Sequence, residues 1–469
     1  MREDWTECCF EDLLDYEQPT KYIVKSTKYN DSYKMPVLTA GKTFIKGYTN
    51  EIDGIFDNLP TIIFDDFTTA TQYVNFKFKV KSSAMKILVP TSKLVNMPLV
   101  YYAMQVNQVR SDTHKRYWIS VFAKKKFLLP PLVEQSAIVN KIEELFSSLD
   151  SGIADLKKAQ GQLVIYRQAV LKKAFEGELT KEWRDKNPYS MNSFLIKLKE
   201  EKENAIKSKL ISKSNYFPEF EEKELTYKIP KSWISLPWKT TTSNNKYAMK
   251  RGPFGSALKK EFFVEKGIVV YEQGHAINDE PFRHRYYITP EKYEELKAFK
   301  TKGGDMIISC SGATLGRICL LPENADIGVI NQALLKIDLD ESILFKKFFI
   351  MLFRSETFQR LIFAKSLGTA MPNMIGMTEL KEIPIPIPSI EEQYQIIKEV
   401  EGRLTVCENV AENINDSLQK AIALRQSILK KAFDGKLLNE EEIAKCKEDK
   451  DYEPASVLLE KIKAEKKQK

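Results

Sequence analysis

The chain has 469 residues and a mass of 54.1 kDa, a length that predicts more than one domain. Hydrophobic residues make up 43% of it and aromatic residues 11%, which argues against disorder because that much apolar material can build cores. The formal net charge of +8 favours a polyanionic partner but does not require one, since many soluble proteins are mildly basic.

The cysteines and histidines form no metal-binding motif. None of the six cysteines belongs to a Cys-x-x-Cys pair, and the three histidines are scattered, whereas structural zinc needs four grouped ligands. Scattered cysteines in a long chain indicate a reducing compartment. The first residues are acidic, and no run of about 18 apolar residues occurs. We therefore expect no signal peptide, no membrane span and a cytoplasmic location.

Residues 1–128 form the first predicted β-rich block. Short β-branched and aromatic runs are separated there by glycine, proline and asparagine, a pattern typical of strands and turns. Strands are predicted within 35–41 and 61–68, and an aromatic helix at 98–104. Adjacent side chains on a strand face opposite sides, so Asp65 and Asp66 indicate a structural turn and not a metal pair.

Residues 129–213 are dominated by one long predicted helix. It follows a proline-containing lead at 128–131 and ends near Gly177, the residue type favoured just past a helix end. Apolar residues recur there at every seventh position, at Ile142, Leu149, Leu156, Leu163 and Val170. Heptads sustained over this length predict a coiled-coil seam, and the alternative is a core helix of a globular domain.

Residues 214–387 form a second β-rich block that repeats the order of features in the first. Trp5 opens the first block and Trp233 the second. Strands and an aromatic helix of the second block are predicted within 267–274, 305–312 and 344–353. The glycine-containing string 311–317 has the wrong spacing for a P-loop and lacks its lysine, so we interpret it as a loop.

Residues 388–469 repeat the first helical region. Residues 130–179 match 388–437 without a gap at a constant offset of 258, as in Glu134 and Glu392. The second set of heptad positions is Val400, Cys407, Ile414, Ala421 and Ile428. Ser389 and Glu392 form a candidate capping box. Two equivalent apolar stripes in one chain favour antiparallel pairing of the helices, each about 60 Å long for roughly 40 residues.

The sequence therefore predicts an α+β fold with a pseudo-two-fold duplication. Two β-rich domains, 1–128 and 214–387, alternate with two helical regions, 129–213 and 388–469. The long helices of the helical regions pair as an antiparallel coiled coil.

This layout resembles type I restriction–modification specificity subunits over essentially the whole chain. The resemblance rests on a Pro…Glu-Gln lead into a heptad helix that ends in Leu-Lys-Lys-Ala-Phe-x-Gly-x-Leu. It also rests on the strings at 36–51, 62–71, 251–260 and 328–337. It implies that each β-rich domain is a target-recognition domain that reads half of a split site in double-stranded DNA. It further implies that the two helices set the unread spacer.

The same resemblance implies protein partners and the cofactors that they carry. Two methyltransferase subunits, which hold S-adenosylmethionine, would dock on the helical regions, and restriction subunits that use ATP and Mg²⁺ would complete the complex. The chain itself would bind no cofactor, contact no membrane and have no catalytic residues. The Asn187-Pro188-Tyr189 string lacks one proline of an adenine-methyltransferase loop, which agrees with a non-catalytic chain.

Candidate DNA-binding residues follow from the chemistry of base reading. Arg and Lys read guanine, Asn and Gln read adenine, and Ser and Thr are less selective. In the first block the candidates are Thr39, Lys42, Thr68, Thr69, Lys81, Ser83, Arg110, His114, Lys115 and Arg116. In the second block they are Lys250, Arg251, Ser256, Lys259, Gln273, His275, Asn278, Arg283, Arg285, Ser311, Thr314 and Arg317. Taken singly, each of these residue types is more often a solvated surface residue.

Two alternatives belong to other functional classes. A single-chain nuclease or methyltransferase predicts activity of the purified chain with Mg²⁺ or S-adenosylmethionine. A coiled-coil scaffold whose β-rich domains bind a sugar or a protein predicts no DNA affinity. A DNA-binding subunit instead predicts an affinity that falls steeply with salt, because phosphate contacts release counterions.

Overall fold

The computed structural model describes residues 2–39, 41, 43–107, 117–212, 225, 227–312, 314–363 and 373–468. The predictions made for Lys42, Arg110, His114, Lys115 and Arg116 lie outside these residues. Within the described ranges, none of the helices combines the length and the hydropathy that a transmembrane span requires.

The first β-rich block contains the predicted strands and the predicted aromatic helix. Its elements are β1 (Thr6–Cys9), α1 (Phe10–Leu13), β2 (Leu14–Glu17), β3 (Met35–Leu38), β4 (Ile45–Thr49), β5 (Thr61–Asp65), β6 (Thr71–Val74), β7 (Lys79–Val80), β8 (Met85–Pro90), α2 (Met97–Val106) and β9 (Lys126–Leu129). The helices that follow are α3 (Leu132–Phe175), α4 (Lys181–Lys186) and α5 (Met191–Lys207).

The second β-rich block likewise contains its predicted elements. They are β10 (Ile234–Pro237), β11 (Met249–Arg251), β12 (Ile268–Tyr271), α6 (Gln273–Asn278), β13 (Tyr287–Ile288), α7 (Pro290–Glu295), β14 (Lys300–Thr301), β15 (Met306–Ser309), β16 (Ile318–Leu320), β17 (Gly328–Ile330), β18 (Leu334–Ile337), α8 (Lys346–Arg354), α9 (Glu356–Phe363), α10 (Met377–Lys381) and β19 (Pro384–Ile387). The chain closes with α11 (Ile390–Phe433), α12 (Glu440–Lys447) and α13 (Ala455–Gln468).

The chain folds as two compact units that combine distant segments. The first unit contains Met1–Lys158 and Asn413–Lys469, and the second contains Ala159–Glu412. Each unit therefore holds one β-rich block together with part of α3 and part of α11.

The β-sheets of the two units follow one plan. The first unit has sheets of order β2-β8-β5-β6 and β4-β3-β7, and the second has β11-β18-β15-β16 and β13-β12-β17-β14. In each unit the second of these sheets has one parallel pair, β3 with β7 or β12 with β17, among antiparallel neighbours. A separate ribbon, β1-β9 or β10-β19, precedes the long helix in each unit. The two β-rich blocks that alternate with the helices in the sequence therefore share the order of their strands in the sheets.

The long helices pair antiparallel inside each unit, which confirms the predicted fold class. In the first unit a guanidinium N–H of Arg425 donates to Asp150 at 2.9 Å. In the second unit Arg167 lies 3.9 Å from Glu408. These two ion pairs are counterparts, since each residue and its equivalent are 258 positions apart. The heptad residues of both helices are buried or half-buried, as a seam requires.

Both long helices end in the way that the glycines predicted. Gly177 follows α3 and Gly435 follows α11, each with a φ of +72°. This left-handed conformation is free of steric cost only for glycine, so the chain can turn sharply away from the helix there. The two helix ends are therefore structural copies of each other.

The capping box predicted at the start of α11 is only half formed. The N–H of Glu392 donates to Ser389 Oγ at 3.2 Å, as predicted. The Glu392 carboxylate, however, does not return to the Ser389 backbone. It accepts hydrogen bonds from Trp233 Nε1 at 2.8 Å, from Thr180 Oγ1 at 2.7 Å and from Arg184 at 2.6 Å. A buried carboxylate needs strong donors, and these tertiary donors replace the local one.

The first unit holds the equivalent carboxylate in a similar way. Glu134 is fully buried and accepts a hydrogen bond from Trp5 Nε1 at 2.9 Å. Arg2 contacts both carboxylate oxygens, at 3.0 and 3.1 Å. This contact ties the first residues of the chain to the start of α3.

Candidate nucleic-acid interface

Three strands of the first unit, β3, β5 and β7, end beside one open pocket of about 460 Å³. Thr39, Lys46, Asp65 and Lys81 contribute to its lining. Two of the predicted DNA-binding residues, Thr39 and Lys81, are therefore brought together from segments far apart in the sequence. Ser83 is exposed in the same turn as Lys81. The pocket offers ammonium and hydroxyl groups to a ligand.

The turn after β5 has the structural role predicted for its two aspartates. Asp65 Oδ1 accepts the N–H of Thr68 at 3.0 Å, which closes the turn. Asp66 Oδ1 accepts the N–H of Trp118 at 2.9 Å, which anchors a distant segment. Of the two predicted threonines, Thr68 is exposed, whereas Thr69 is 5% exposed with a φ of +58°.

The second unit has an equivalent edge. In the first unit the N–H of Lys81 donates to Leu38 O at 3.0 Å, just past the parallel pair β3 and β7. In the second unit the N–H of Asn331 donates to Tyr271 O at 2.9 Å, just past the parallel pair β12 and β17. The turn between β17 and β18 therefore corresponds to the turn that carries Lys81.

Other strand ends of the second unit reach the same edge. The N–H of Gly252, which follows β11, donates to Leu334 O at 2.8 Å. The Gln273 side-chain amide, which follows β12, donates to the carbonyl oxygen of Ser311, which follows β15. Two predicted residues, Gln273 and Ser311, are thereby brought into direct contact.

Three of the predicted DNA-binding residues, Gln273, His275 and Asn278, lie on a short helix, α6, that follows β12. His275 is 2% exposed, and its Nδ1 lies 3.0 Å from the backbone nitrogen and 3.1 Å from the carbonyl oxygen of Glu272. Burial lowers the pKa of His275, which favours the neutral ring. Asn278, at the end of α6, is exposed. On α6, the Asn278 side chain is accessible to a ligand, whereas the His275 ring is part of the protein interior.

A small pocket of about 120 Å³ gathers Asn278, Arg283 and Arg285 with Glu272. Arg285 pairs with Glu272, and Arg283 lies 2.9 Å from Glu280. Both arginines are exposed. Arg283 and Glu280 are both exposed, so their ion pair contributes little free energy and a phosphate could replace the Glu280 carboxylate at small cost. The Glu272 carboxylate is only 12% exposed, so its pair with Arg285 is harder to replace.

The basic cluster at 250–260 is divided between two environments. Lys250 and Arg251 are half-buried on β11, which ends at the same sheet edge as β12, β15 and β17. Ser256 and Lys259 are exposed beyond it, and Lys259 lies 3.5 Å from Glu261. The cluster is continuous in sequence, but only Lys250 and Arg251 belong to the β-sheet.

Thr314 and Arg317 line a different feature, a groove of about 740 Å³ within the second unit. Arg167 of α3 and Glu408 of α11 line the same groove. Arg317 is exposed. These two predicted residues therefore face the paired helices.

Sequence reasoning missed three residues at these edges. Lys46 lines the pocket of the first unit, and Asn331 and Gln332 form the matching turn of the second. The turn with Lys81 had been selected in the first block, so its structural counterpart in the second block could have been selected by alignment of the strand order. The two turns share no sequence pattern, so the order of the predicted strands was the only signal available, and the backbone hydrogen bonds establish the match.

A metal centre is not assembled by the described part of the chain. No group of three or more His, Cys, Asp or Glu residues is close enough there to hold a metal ion. The chemistry available at the strand ends is hydrogen bonding and positive charge.

A comparison with family models identifies the type I restriction modification DNA specificity domain at residues 2–158 and 255–401, together more than half of the chain. The specificity subunit of the type I restriction enzyme EcoR124I/EcoR124II from Escherichia coli is 45% identical over 188 residues, 37% of this chain and 45% of that protein. The EcoBI specificity subunit from Escherichia coli is 29% identical over 340 residues, 72% of this chain and 64% of that protein. The chain thus matches less than two thirds of the length of either relative.

Solved structures share the fold. A chain from a study of complex assembly and conformational transition of the type I R-M system superposes with a TM-score of 0.63. The superposition covers 93% of this chain and 99% of that chain at 14% sequence identity. At this identity the likeness shows a common architecture.

Proposed function

The chain belongs to the type I restriction modification DNA specificity family, and on that premise we propose that it is the DNA-recognition subunit of a type I restriction–modification complex. Each unit reads one half of a bipartite double-stranded site, and α3 and α11 set the length of the unread spacer. The chain contributes no catalytic group, and its location is cytoplasmic.

The repeated strand plan supports this proposal most directly. The two units have the same strand order apart from the additional strand β14, and each has the same ribbon and the same helix pairing, which suits a target with two separate halves. The equivalent turns of the two units differ in residue type. The first unit has Lys81 and Ser83 there, and the second has Asn331 and Gln332. Different side chains on one framework would read different bases.

The proposed protein partners are two methyltransferase subunits and, in the complete complex, restriction subunits. The relatives are named as specificity subunits of type I restriction enzymes. S-adenosylmethionine would belong to the methyltransferase subunits, and ATP with Mg²⁺ to the restriction subunits.

The DNA-facing residues are proposed at the strand ends and the pockets beside them. In the first unit they are Thr39, Thr68, Lys81 and Ser83. In the second unit Lys250, Arg251, Ser256, Lys259, Arg283 and Arg285 would contact phosphates, and Gln273, Asn278 and Ser311 would lie closer to bases. Thr314 and Arg317 would contact DNA from the groove beside the paired helices. Thr69 and His275 are buried and would act by positioning their neighbours.

A scaffold with β-rich domains that bind another partner is not favoured, because the matching family is described by DNA specificity. Binding of random duplex DNA by the purified chain separates the two proposals. A DNA-recognition subunit should lose affinity steeply as salt rises, whereas a scaffold should show no such binding.

Sequencing of methylated bases in the host genome, with and without this gene, tests the function directly. We expect one split adenine-methylation motif to disappear when the gene is deleted and to return on complementation. An unchanged methylome together with an absence of salt-sensitive DNA binding would overturn the proposal.

A further inference from the structure

Gln332 lies at the tip of the turn between β17 and β18, on the edge where strands of the second unit end. Its side chain is exposed. Among the described residues, its amide has no hydrogen-bond partner. An exposed amide without a partner is common on flexible loops. Gln332 is a candidate for specific binding only if the backbone of its turn is held in place.

The backbone on both sides of Gln332 is held by different strands. The N–H of Asn331 donates to Tyr271 O at 2.9 Å, and the N–H of Cys310 donates to Ala333 O at 2.8 Å. The turn is also closed on itself, since Asn331 Oδ1 accepts the N–H of Ala333 at 3.0 Å. The Gln332 side chain therefore projects from a fixed base, and only its own torsions need to be ordered when it binds.

Gly252 lets the chain that leaves β11 pass directly against the backbone of this turn. A Cβ at Gly252 would lie 1.8 Å from the Asn331 carbonyl oxygen and 3.0 Å from Gln332 Cα. Glycine alone allows β11 to pass this closely. Lys250 and Arg251 stand immediately before it on β11 and bring two positive charges to the same sheet.

We propose that Gln332 is a specificity-determining residue that reads an adenine in the half-site of the second unit. This inference rests on the proposed DNA-recognition function. A side-chain amide presents a donor and an acceptor together, which match N7 and the N6 amino group of adenine in the major groove. Guanine presents two acceptors at the corresponding positions and would oppose the amide oxygen.

The corresponding turn of the first unit has Lys81 and Ser83 and no side-chain amide. The proposal is therefore confined to one half of the site. A change at Gln332 should alter the second half-site and leave the first half-site as it is.

Selection of bound duplexes from a random pool, with the full chain and its methyltransferase partner, tests this assignment. The Gln332→Glu variant presents two acceptors and suits the amino group of cytosine. We expect it to replace adenine by cytosine at one position of the second half-site. The Gln332→Ala variant should lose discrimination at that position by on the order of 10- to 100-fold.

Asn324→Asp is the matched control, because it makes the same amide-to-carboxylate change at an exposed residue between β16 and β17 of the second unit, outside the helical regions. It should select the wild-type motif. If the wild-type complex selects a split site and both Gln332 variants select the same one, or bind all sequences uniformly more weakly, the adenine assignment is wrong. If the wild-type complex selects no site at all, it is the proposed DNA-recognition function that fails.

Discussion

The two units place a buried glutamate in the same surroundings with donors from different parts of the chain. In the first unit Glu134 is held by Trp5 and Arg2, which come from the start of the chain. In the second unit Glu392 is held by Trp233 and by Arg184, which comes from α4. The glutamates are 258 positions apart, whereas the tryptophans are 228 apart.

The arginines show that both units keep a buried glutamate paired with a cation, although the two arginines are not at equivalent positions of the repeat. The position 258 residues after Arg184 is Glu442, which lies 3.4 Å from Lys141 in the first unit. The cation that Glu134 needs is supplied instead by Arg2. A buried carboxylate without a cation would be costly, so the first residues of the chain serve as the missing partner.

Removal of either glutamate should produce the largest effect. Glu392→Ala and Glu134→Ala each leave buried donors unpaired and should lower the free energy of unfolding of their own unit by about 3–5 kcal/mol. Urea denaturation with hydrogen exchange resolved by unit measures both. Glu391→Ala, at an exposed neighbour, should change it by less than about 0.5 kcal/mol. A much smaller cost in the first unit would show that its chain start is loosely bound.

The two helix-end glycines should differ in a way that sharpens the comparison. Gly177→Ala and Gly435→Ala both force alanine into a left-handed conformation, at about 1–2 kcal/mol. At Gly177 the new Cβ would also lie 2.3 Å from the ring of Pro230, whereas at Gly435 it would lie 2.9 Å from flexible Arg2. We expect Gly177→Ala to be the more costly substitution by about 1–3 kcal/mol.

Thermal denaturation of the two variants measures this difference. Gly161→Ala is the control, because a Cβ there meets nothing within 4 Å in the middle of α3. It should stabilise the protein by about 0.5–1 kcal/mol, since alanine favours the helix. Equal costs at Gly177 and Gly435 would contradict the role of the proline ring.

The second unit should lose stability in mild acid because of His275. Burial lowers the pKa of His275 in the folded state, so the unfolded chain binds the proton more readily. The stability is fully present above the unfolded pKa of about 6.5 and declines as the pH falls towards the folded pKa, by at most about 1.4 kcal/mol per pH unit.

Unit-resolved hydrogen exchange between pH 7.5 and 5.5 measures this loss. The His275→Asn variant should remove the pH dependence from the second unit, since its amide oxygen can still accept the Glu272 N–H. The first unit provides the reference for general effects of acid. An unchanged slope in the variant would assign the dependence to other groups.

The ion pairs between the helices should give the smallest difference. Arg425 and Asp150 are 2.9 Å apart, and the Arg425 guanidinium also lies 4.2 Å from the Phe146 ring centroid. Their coupling in a double-mutant cycle should be about 0.5–1 kcal/mol. Arg167 and Glu408, at 3.9 Å, should couple by less than about 0.3 kcal/mol. Equal couplings would show that the two units hold the helices alike.

Much of the fold was predictable because it repeats or follows local rules. The offset of 258, the heptads and the two glycines predicted the paired helices and where they end, since helix spacing and left-handed turns are read from nearby residues. The strands near 35, 61, 268 and 306 were predictable from their β-branched runs. The candidate site was predictable only in part, as the contact between Gln273 and Ser311 and the pocket shared by Thr39 and Lys81 illustrate.

Repeats and periodicity are properties of the sequence, so the duplication with two β-rich blocks and two long helices can be read from the residues without a structure. The three-dimensional fold is what draws the Glu392 carboxylate away from its capping box to Trp233, since a buried charge takes the strongest donors within reach. It also decided that His275 is buried and that Gln332 is exposed. Both depend on strands that are distant in the sequence and meet through backbone hydrogen bonds, which no local pattern specifies.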